Sequence, residues 1–377
     1  MTTTVTDSVL RALSAFRAEN GCAISLYLDL DPSSTPTAPS AETKFNSLFS
    51  ELEKEADTHG TTRDCRLALK DDLERIRSWW DDEFDRHGAQ AVAIFASSAD
   101  GEFRALPLPE PVRDGVRIGA EFAVAPLVGQ LGRDGSIVAV LSRERGTVYR
   151  FSGGRLVEIV DETEEAPGQH SQGGRSQARY QRHIEHLVQQ HLKTVGHEID
   201  KQARGAGGLQ MVIVAPDELR GEIESSLSTE AREAVIGWAT AEAHAGPNEL
   251  LEVVRPLFDK ARARIEQDEL ERWQEEHGRG GRAAAGWKQT LDAASDGRVA
   301  VLLLDESAGG HQGWVCPKCG RASADGGRCP LDDTKLEQAP DAADLAIHRA
   351  IEHGGSIITL GAGALGDAAG VGAILRY

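Results

Sequence analysis

From Tyr180 to Ile199 the residues Tyr180, Ile184, Leu187, Val188, Leu192, Val195 and Ile199 recur three and four positions apart, a spacing that an α-helix gathers onto one apolar face. Arg175, Arg179, Arg182 and His186 fall on the opposite face. Ahead of this helix runs a glycine-rich loop, Gly168-Gln169-His170-Ser171-Gln172-Gly173-Gly174. Between Ala166 and Ile184 there are three arginines, two histidines and no carboxylate, in a chain with 60 acidic and 41 basic side chains. Gly173 and Gly174 carry no side chain, so the backbone there can enter a narrow space or approach a ligand closely. A glycine tip on a rigid helix with one basic face is suited to contact with a polyanion.

At 377 residues the chain exceeds one ordinary core and predicts two or three domains. No apolar run approaches the length of a membrane helix, so no membrane partner is expected. The first residues lack the basic and apolar regions of a signal peptide, which predicts a cytoplasmic protein. A net charge of −19 argues against indiscriminate nucleic-acid binding and confines any such contact to local basic patches. Of five cysteines, Cys22 and Cys65 sit in apolar patterns and read as buried, inert thiols, whereas Cys316, Cys319 and Cys329 cluster. That grouping points to a metal in a reducing compartment and away from a disulfide framework.

The fold class expected is α/β (α+β) in three domains. Residues 1–133 read as an α/β domain: a helix over 7–19, a strand over Cys22–Leu30, a proline- and serine-rich loop over Asp31–Ser40, helices near 41–57 and 63–85, and a strand over Gln90–Ala96. The segment to Leu131 alternates weakly around prolines. Asp29 and Asp31, ending a strand before proline, read as solvated turn residues. Residues 134–275 read as a middle domain: a meander over Ser136–Leu141, Thr147–Phe151 and Leu156–Val160, then the glycine loop and basic helix, then strands over Gln210–Val214 and Ala234–Thr240 with one helix between them. A long charged helix, Glu249 to His277, leads out of it. Residues 276–377 read as a C-terminal α/β domain with a helix through Trp287 and Leu291, strands over Val299–Leu304 and Ser356–Leu360, a helix over Ala342–Glu352, and a glycine-rich tail to Tyr377.

Cys316-Pro317-Lys318-Cys319 lets two thiolates from one tight turn reach a tetrahedral ion. A second knuckle follows as Cys329-Pro330-Leu331-Asp332, with aspartate where a fourth cysteine would fall. Carboxylate oxygen is an acceptable zinc ligand, so the expected site is a closed structural Zn2+ ribbon, about 314–336, held by Cys316, Cys319, Cys329 and Asp332. Gly361-Ala362-Gly363-Ala364-Leu365-Gly366 matches a dinucleotide fingerprint but lacks the helix, second strand and acidic residue that the fingerprint needs. Glycine there is expected to serve tight backbone packing.

The order of units, the Gly173-Gly174 tip running into Ser176-Gln177-Ala178-Arg179-Tyr180-Gln181-Arg182, the ribbon and the terminal Gly372–Tyr377 resemble the archaeal and eukaryotic class-1 peptide-chain release factors. The resemblance is nearer to their bacterial relatives and to the Vms/Ankzf-type peptidyl-tRNA hydrolases of ribosome quality control. It implies a three-domain release-factor-like architecture with a zinc-ribbon insertion in the C-terminal domain. It also implies a tip that enters the peptidyl-transferase centre, where a glutamine places water on the ester linking peptide to tRNA. Arg175 stands directly after Gly173-Gly174 where the release factors have that glutamine, but Gly174-Arg175-Ser176-Gln177 satisfies the Gly-x-x-Gln arrangement of the Vms type. The resemblance therefore implies Gln177 as the catalytic residue, with Gln172 as second candidate, Gly173 and Gly174 as the reach of the loop, and Arg175, Arg179 and Arg182 as RNA contacts. An aminoacyl ester is already activated, so a neutral amide that positions water and steadies the oxyanion can carry the chemistry. The decoding tetrapeptide Asn-Ile-Lys-Ser does not occur in 1–133, which turns the expected partner from a stop codon to a stalled ribosome or freed large subunit bearing peptidyl-tRNA. Whether a translational GTPase accompanies it, and whether the ester or the tRNA acceptor end is cut, stay open. The rival expectation is a non-catalytic ribosome-binding factor of the Pelota or hibernation type.

Overall fold

Strand β1 (Ala23–Asp29) is buried along almost its whole length because helices cover both faces of its sheet. The structure is a computed structural model and describes residues 5–59, 63–86, 88–130, 135–152, 154–162, 177–204, 209–242, 244–306 and 308–377. Before β1 stands helix α1 (Asp7–Ala15), whose N-cap Thr6 accepts the Val9 N–H. After it come α2 (Ala38–His59), α3 (Arg63–Asp82), β2 (Ala91–Ser97), β3 (Glu102–Leu108), β4 (Gly115–Gly119) and the short α4 (Ala125–Val128). The strands form an antiparallel sheet in the order β3-β2-β1-β4. Ile24, Leu26 and Leu28 point to α2 and α3, where Phe45, Phe49, Ile76 and Trp80 close one core.

Three local readings change. Helix α2 begins inside the expected loop, since Thr37 and Ser40 exchange side-chain-to-backbone hydrogen bonds of 3.2 and 3.0 Å, and proline is tolerated in a first turn. The weakly alternating stretch after β2 forms β3 and β4, the two edges of the sheet, and an edge admits Pro107. Asp29 is not a solvated turn acid: it accepts the Ser34 hydroxyl at 2.6 Å and pairs with Lys44 at 3.1 Å.

In the next segment β5 (Ile137–Leu141), β6 (Gly146–Ser152) and β7 (Arg155–Asp161) make the expected meander. Helix α5 (Gln177–Ala203) follows, then β8 (Met211–Val214), α6 (Arg220–Ser226), α7 (Thr229–Ala234) and β9 (Val235–Ala239). The sheet order is β7-β6-β5-β8-β9, with β8 parallel to both neighbours. Two helices stand where one was expected, because Ser228 turns extended and caps α7 through Ala231 N–H. Val188, Leu192, Val195 and Ile199 of α5 pack with α6 and α7 on one face of the sheet. Leu250, Val254 and Phe258, from the first half of α8 (Pro247–Gly278), cover the other.

The last segment contains β10 (Ala283–Ala285), α9 (Gly286–Ser295), β11 (Val299–Asp305), three short strands β12 (Gly313–Val315), β13 (Ala322–Ser323) and β14 (Glu337–Ala339), α10 (Ala342–Glu352), β15 (Ser356–Leu360) and β16 (Val371–Leu375). Its main sheet runs β10-β16-β11-β15. The glycine-rich tail is thus an inner strand, antiparallel to both neighbours. Gly361, Gly363 and Gly366 are not tightly packed: a Cβ on any of them would meet nothing within 4 Å. Gly363 and Gly366 instead take left-handed φ of 75° and 55°, which the turn before β16 requires. Close packing occurs at Gly372, where a Cβ would lie 2.8 Å from Trp273 Nε1.

By contacts the described residues within 3–131 and 263–377 form one compact unit and those within 132–262 another. In the first unit α1, β1, β2, α9, α10 and β11 share a single core that includes Leu10, Phe95, Phe122, Leu291, Leu302 and Ile347. Asp344 of α10 fastens the two sequence segments together, accepting Val124 and Ala125 N–H at 2.9 and 2.8 Å and Arg117 at 2.5 Å. No helix among the described residues is long and apolar enough to cross a membrane.

Candidate functional site

The first knuckle is a backbone turn. Gly320 N–H donates to Cys316 O at 2.8 Å, Cys316 N–H donates to Arg321 O at 2.9 Å, and Gly320 takes a left-handed φ of 75°. The second repeats the design, with Cys329 N–H to Thr334 O at 2.8 Å, Asp333 N–H to Cys329 O at 3.0 Å, and Asp333 at φ 59°. The first turn joins β12 to β13 and the second lies between β13 and β14, strands of one sheet ordered β13-β12-β14. They bring Cys316, Cys319, Cys329 and Asp332 together with one ligand atom from each within 4.8 Å of all the others.

Cys316 Sγ lies 3.6 and 3.7 Å from the oxygens of Asp332, and Cys319 Sγ lies 3.5 Å from Cys329 Sγ. Cys316 and Cys329 are buried, while Cys319 is exposed. Burial pushes the Cys329 thiol up to about 11, aided by the Cys319 and Asp332 side chains and opposed by backbone N–H groups. The Thr334 N–H holds the Asp332 carboxyl below its ordinary range. Three sulfurs and one oxygen at this spacing fit a tetrahedral ion bonded to sulfur at about 2.3 Å, so these four residues form a cluster that could hold a metal ion.

Sequence reasoning missed how the knuckles are fastened. Arg321, only 15% exposed, pairs with Asp292 of α9 at 3.1 Å and with Asp296, the C-cap of that helix, at 2.6 Å. Ser295 Oγ accepts Ala322 N–H at 3.0 Å, and the Arg349 guanidinium of α10 lies against Gly320. The i,i+4 acids at the end of α9 were the available signal, but their basic partner is 29 residues from Asp292 and 25 from Asp296.

The second predicted cluster is on α5. Gln177, Arg179 and Arg182 lie in its first turns, and their side chains fall outside the described residues. Gly173, Gly174, Arg175 and Gln172 fall outside them entirely, as do His170 and the side chains of His183 and Cys65. From His186 onward the expected amphipathic helix is present: His186, Gln189, Lys193 and His197 are exposed, and Val188, Leu192, Val195 and Ile199 are buried. Sequence reading did not single out His191, which lies on the buried face at 2% exposure with an Nε2 that finds no partner among the described residues. Gly146 admits α5 to the meander, since a Cβ there would meet Val195 Cγ2 at 2.3 Å. Cys22 is half-buried.

The molecule is thus a mixed α/β protein with several sheets, carrying a cysteine-rich double knuckle on one unit and a long amphipathic helix beside a meander on the other. Residues 123–258 match the family model of Bacterial archaeo-eukaryotic release factor family 10. Peptide chain release factor subunit 1 of Methanopyrus kandleri is 28% identical over 220 residues, 56% of this chain and 54% of that protein. Its counterpart in Archaeoglobus fulgidus is 28% identical over 190 residues, 48% of this chain and 46% of that protein. The chain spans about half the length of the curated relatives it matches. Among solved structures, an archaeal translation termination factor aligns over 98% of this chain and 96% of its own, at 17% identity and a TM-score of 0.26. A S. cerevisiae translation termination-like factor involved in RNA quality control pathways aligns over 76% and 79%, at 13% identity and a TM-score of 0.41. At such TM-scores the assignment rests on sequence. By sequence, this chain is similar over about a third to a half of its length to the archaeo-eukaryotic release factors and their bacterial branch.

Proposed function

We propose that the protein is a ribosome-associated peptidyl-tRNA hydrolase that rescues stalled translation complexes, of the Vms/Ankzf kind within its superfamily. The observation that carries this reading is the match over 123–258, which contains the carboxylate-free loop and the start of α5 at Gln177. Gly173 and Gly174 give the loop its reach into the peptidyl-transferase centre, Gln177 orients the attacking water, and Arg175, Arg179 and Arg182 grip RNA phosphate. Structural Zn2+ at Cys316, Cys319, Cys329 and Asp332 would tie the two knuckles together; with four protein ligands it leaves no open position for substrate. Partners on this reading are the ribosome or large subunit and its peptidyl-tRNA, with a translational GTPase as an open addition.

Arg175 after the glycine pair favours a second reading, a non-catalytic ribosome-binding factor resembling Pelota or the hibernation factors. Gln177→Ala separates the two when ribosome co-sedimentation and peptide release are measured together. The hydrolase reading expects release lost with co-sedimentation kept. Co-sedimentation of a natural chain that releases nothing would overturn it in favour of the second.

A further inference from the structure

We propose that the metal knuckle is a thiol switch in which an oxidant joins Cys319 to Cys329 and expels the ion. The inference rests on the metal reading above and goes beyond it. With three cysteines the cluster can make one disulfide and must leave one thiol, and the geometry selects which. Cys319 Sγ and Cys329 Sγ are in contact at 3.5 Å. Cys316 Sγ also touches the cysteine pair, but it stands 3.6 Å from the Asp332 carboxylate and is only 1% exposed. Cys319 is the exposed member, so a small oxidant reaches it first.

With a peroxide as oxidant, the Cys319 thiolate attacks one peroxide oxygen, the O–O bond breaks, hydroxide leaves, and Cys319 becomes a sulfenic acid. The Cys329 thiolate then attacks that sulfur and displaces a second hydroxide, closing the disulfide. Two sulfurs lose two electrons and the peroxide gains them. Each sulfur in the disulfide has spent the lone pair and charge that bound the ion. Cys316 and Asp332 alone remain, two ligands where a closed tetrahedral site needs four. The substitution of aspartate for a fourth cysteine sharpens the device, because a four-cysteine site could pair all its thiols and has no preferred survivor.

The change would be felt beyond the knuckles. Arg321 and Ala322 follow the first knuckle directly and bind Asp292 and Ser295 of α9 and its C-cap Asp296. Release of the ion therefore loosens a turn that is anchored on the helix layer of the C-terminal segment.

The test uses the full chain, purified with zinc and analysed for metal before any oxidant is added. Sub-stoichiometric zinc at that stage refutes the metal reading itself. With one zinc per chain, hydrogen peroxide is added while released zinc is read with a chromogenic chelator and disulfides are mapped by mass spectrometry. The expected result is one zinc released per disulfide formed, the bond mapped to Cys319–Cys329, Cys316 still alkylatable, and zinc taken up again after dithiothreitol. A bond through Cys316, or zinc released with no disulfide, would overturn the proposal, as would zinc retained after the thiols are spent. Cys319→Asp keeps a ligand but cannot form the bond, so its loaded form should hold zinc under the same peroxide; release at the natural rate would also overturn it. Should that variant fail to load, the mapped connectivity in the natural chain decides alone.

Discussion

Replacing Gly372 by alanine should destabilise the protein, and the structure sets how much. Gly372 is paired on both sides, with Ala285 of β10 and Leu303 of β11. An added Cβ would lie 2.8 Å from Nε1 and 3.0 Å from Cε2 of Trp273, and 3.3 Å from Ala284 O. The indole is 5% exposed, and its N–H donates to that same Ala284 oxygen at 3.0 Å. Neither the indole nor the strand can retreat without breaking this bond. Overpacking of this kind costs about 1–3 kcal/mol, and the lost hydrogen bond adds about 1 kcal/mol. Reduced freedom of the unfolded chain returns about 0.4–1 kcal/mol, leaving a net loss of about 1–3 kcal/mol. With a urea slope of about 2 kcal/mol/M, the midpoint should fall by about 1 M. Urea denaturation followed by circular dichroism reads it. Gly361→Ala is the control: a Cβ there meets nothing within 4 Å, so its midpoint should hold or rise slightly. A natural midpoint in Gly372→Ala, or an equal fall in both variants, would refute the packing argument.

Asp344→Ala should cost about 3–5 kcal/mol, because it leaves the Arg117 guanidinium in a half-buried site with only Asp341 at 3.8 Å and strips the Val124 and Ala125 N–H groups at the start of α4 of their acceptor; thermal denaturation measures it, and a loss below about 1 kcal/mol would contradict the assignment. Burial alone would raise the Asp29 carboxyl, but bonds from Ser34, the Asp31 N–H and Lys44 outweigh it and hold it below its usual 3.8. Its contribution to stability is therefore full above pH 3.8 and fades as the pH falls through the lower folded value, so natural and Asp29→Asn chains should converge in urea midpoint in acid and diverge near neutrality. A gap that widens in acid would reverse the sign. Zinc affinity should climb with pH, since the Cys329 proton, held to about 11 by burial, must leave before the sulfur can bind; competition with a chromogenic chelator reads this, and a pH-independent affinity would exclude Cys329 as a ligand.

Much of this fold was legible because burial writes a period into the chain. Helix α10 and strand β15 match their expected bounds, Ala342–Glu352 and Ser356–Leu360, since caps and apolar faces mark both ends. Strands β3 and β4 were missed for the opposite reason: edges carry prolines and half-buried residues, so their alternation is weak. Strand β16 read only as a glycine-rich tail because its glycine makes room for Trp273, a residue 99 positions earlier, and nothing local announces that need. The double knuckle was readable from cysteine spacing alone, whereas the Arg321 anchor on α9 depends on tertiary placement. On α5 the period marked the helix, but not that His191 would occupy its buried stripe.

The central claim is tested most directly by single-turnover release of labelled peptide from peptidyl-tRNA on purified ribosomes and on isolated large subunits, with the natural chain and Gln177→Ala side by side. The account predicts release by the natural chain, its loss in the variant, and equal binding of both to the particle; the tRNA 3′ end then tells ester hydrolysis from strand cutting. Release by Gln177→Ala at the natural rate, or tight binding by a natural chain that releases nothing from either particle, would contradict it.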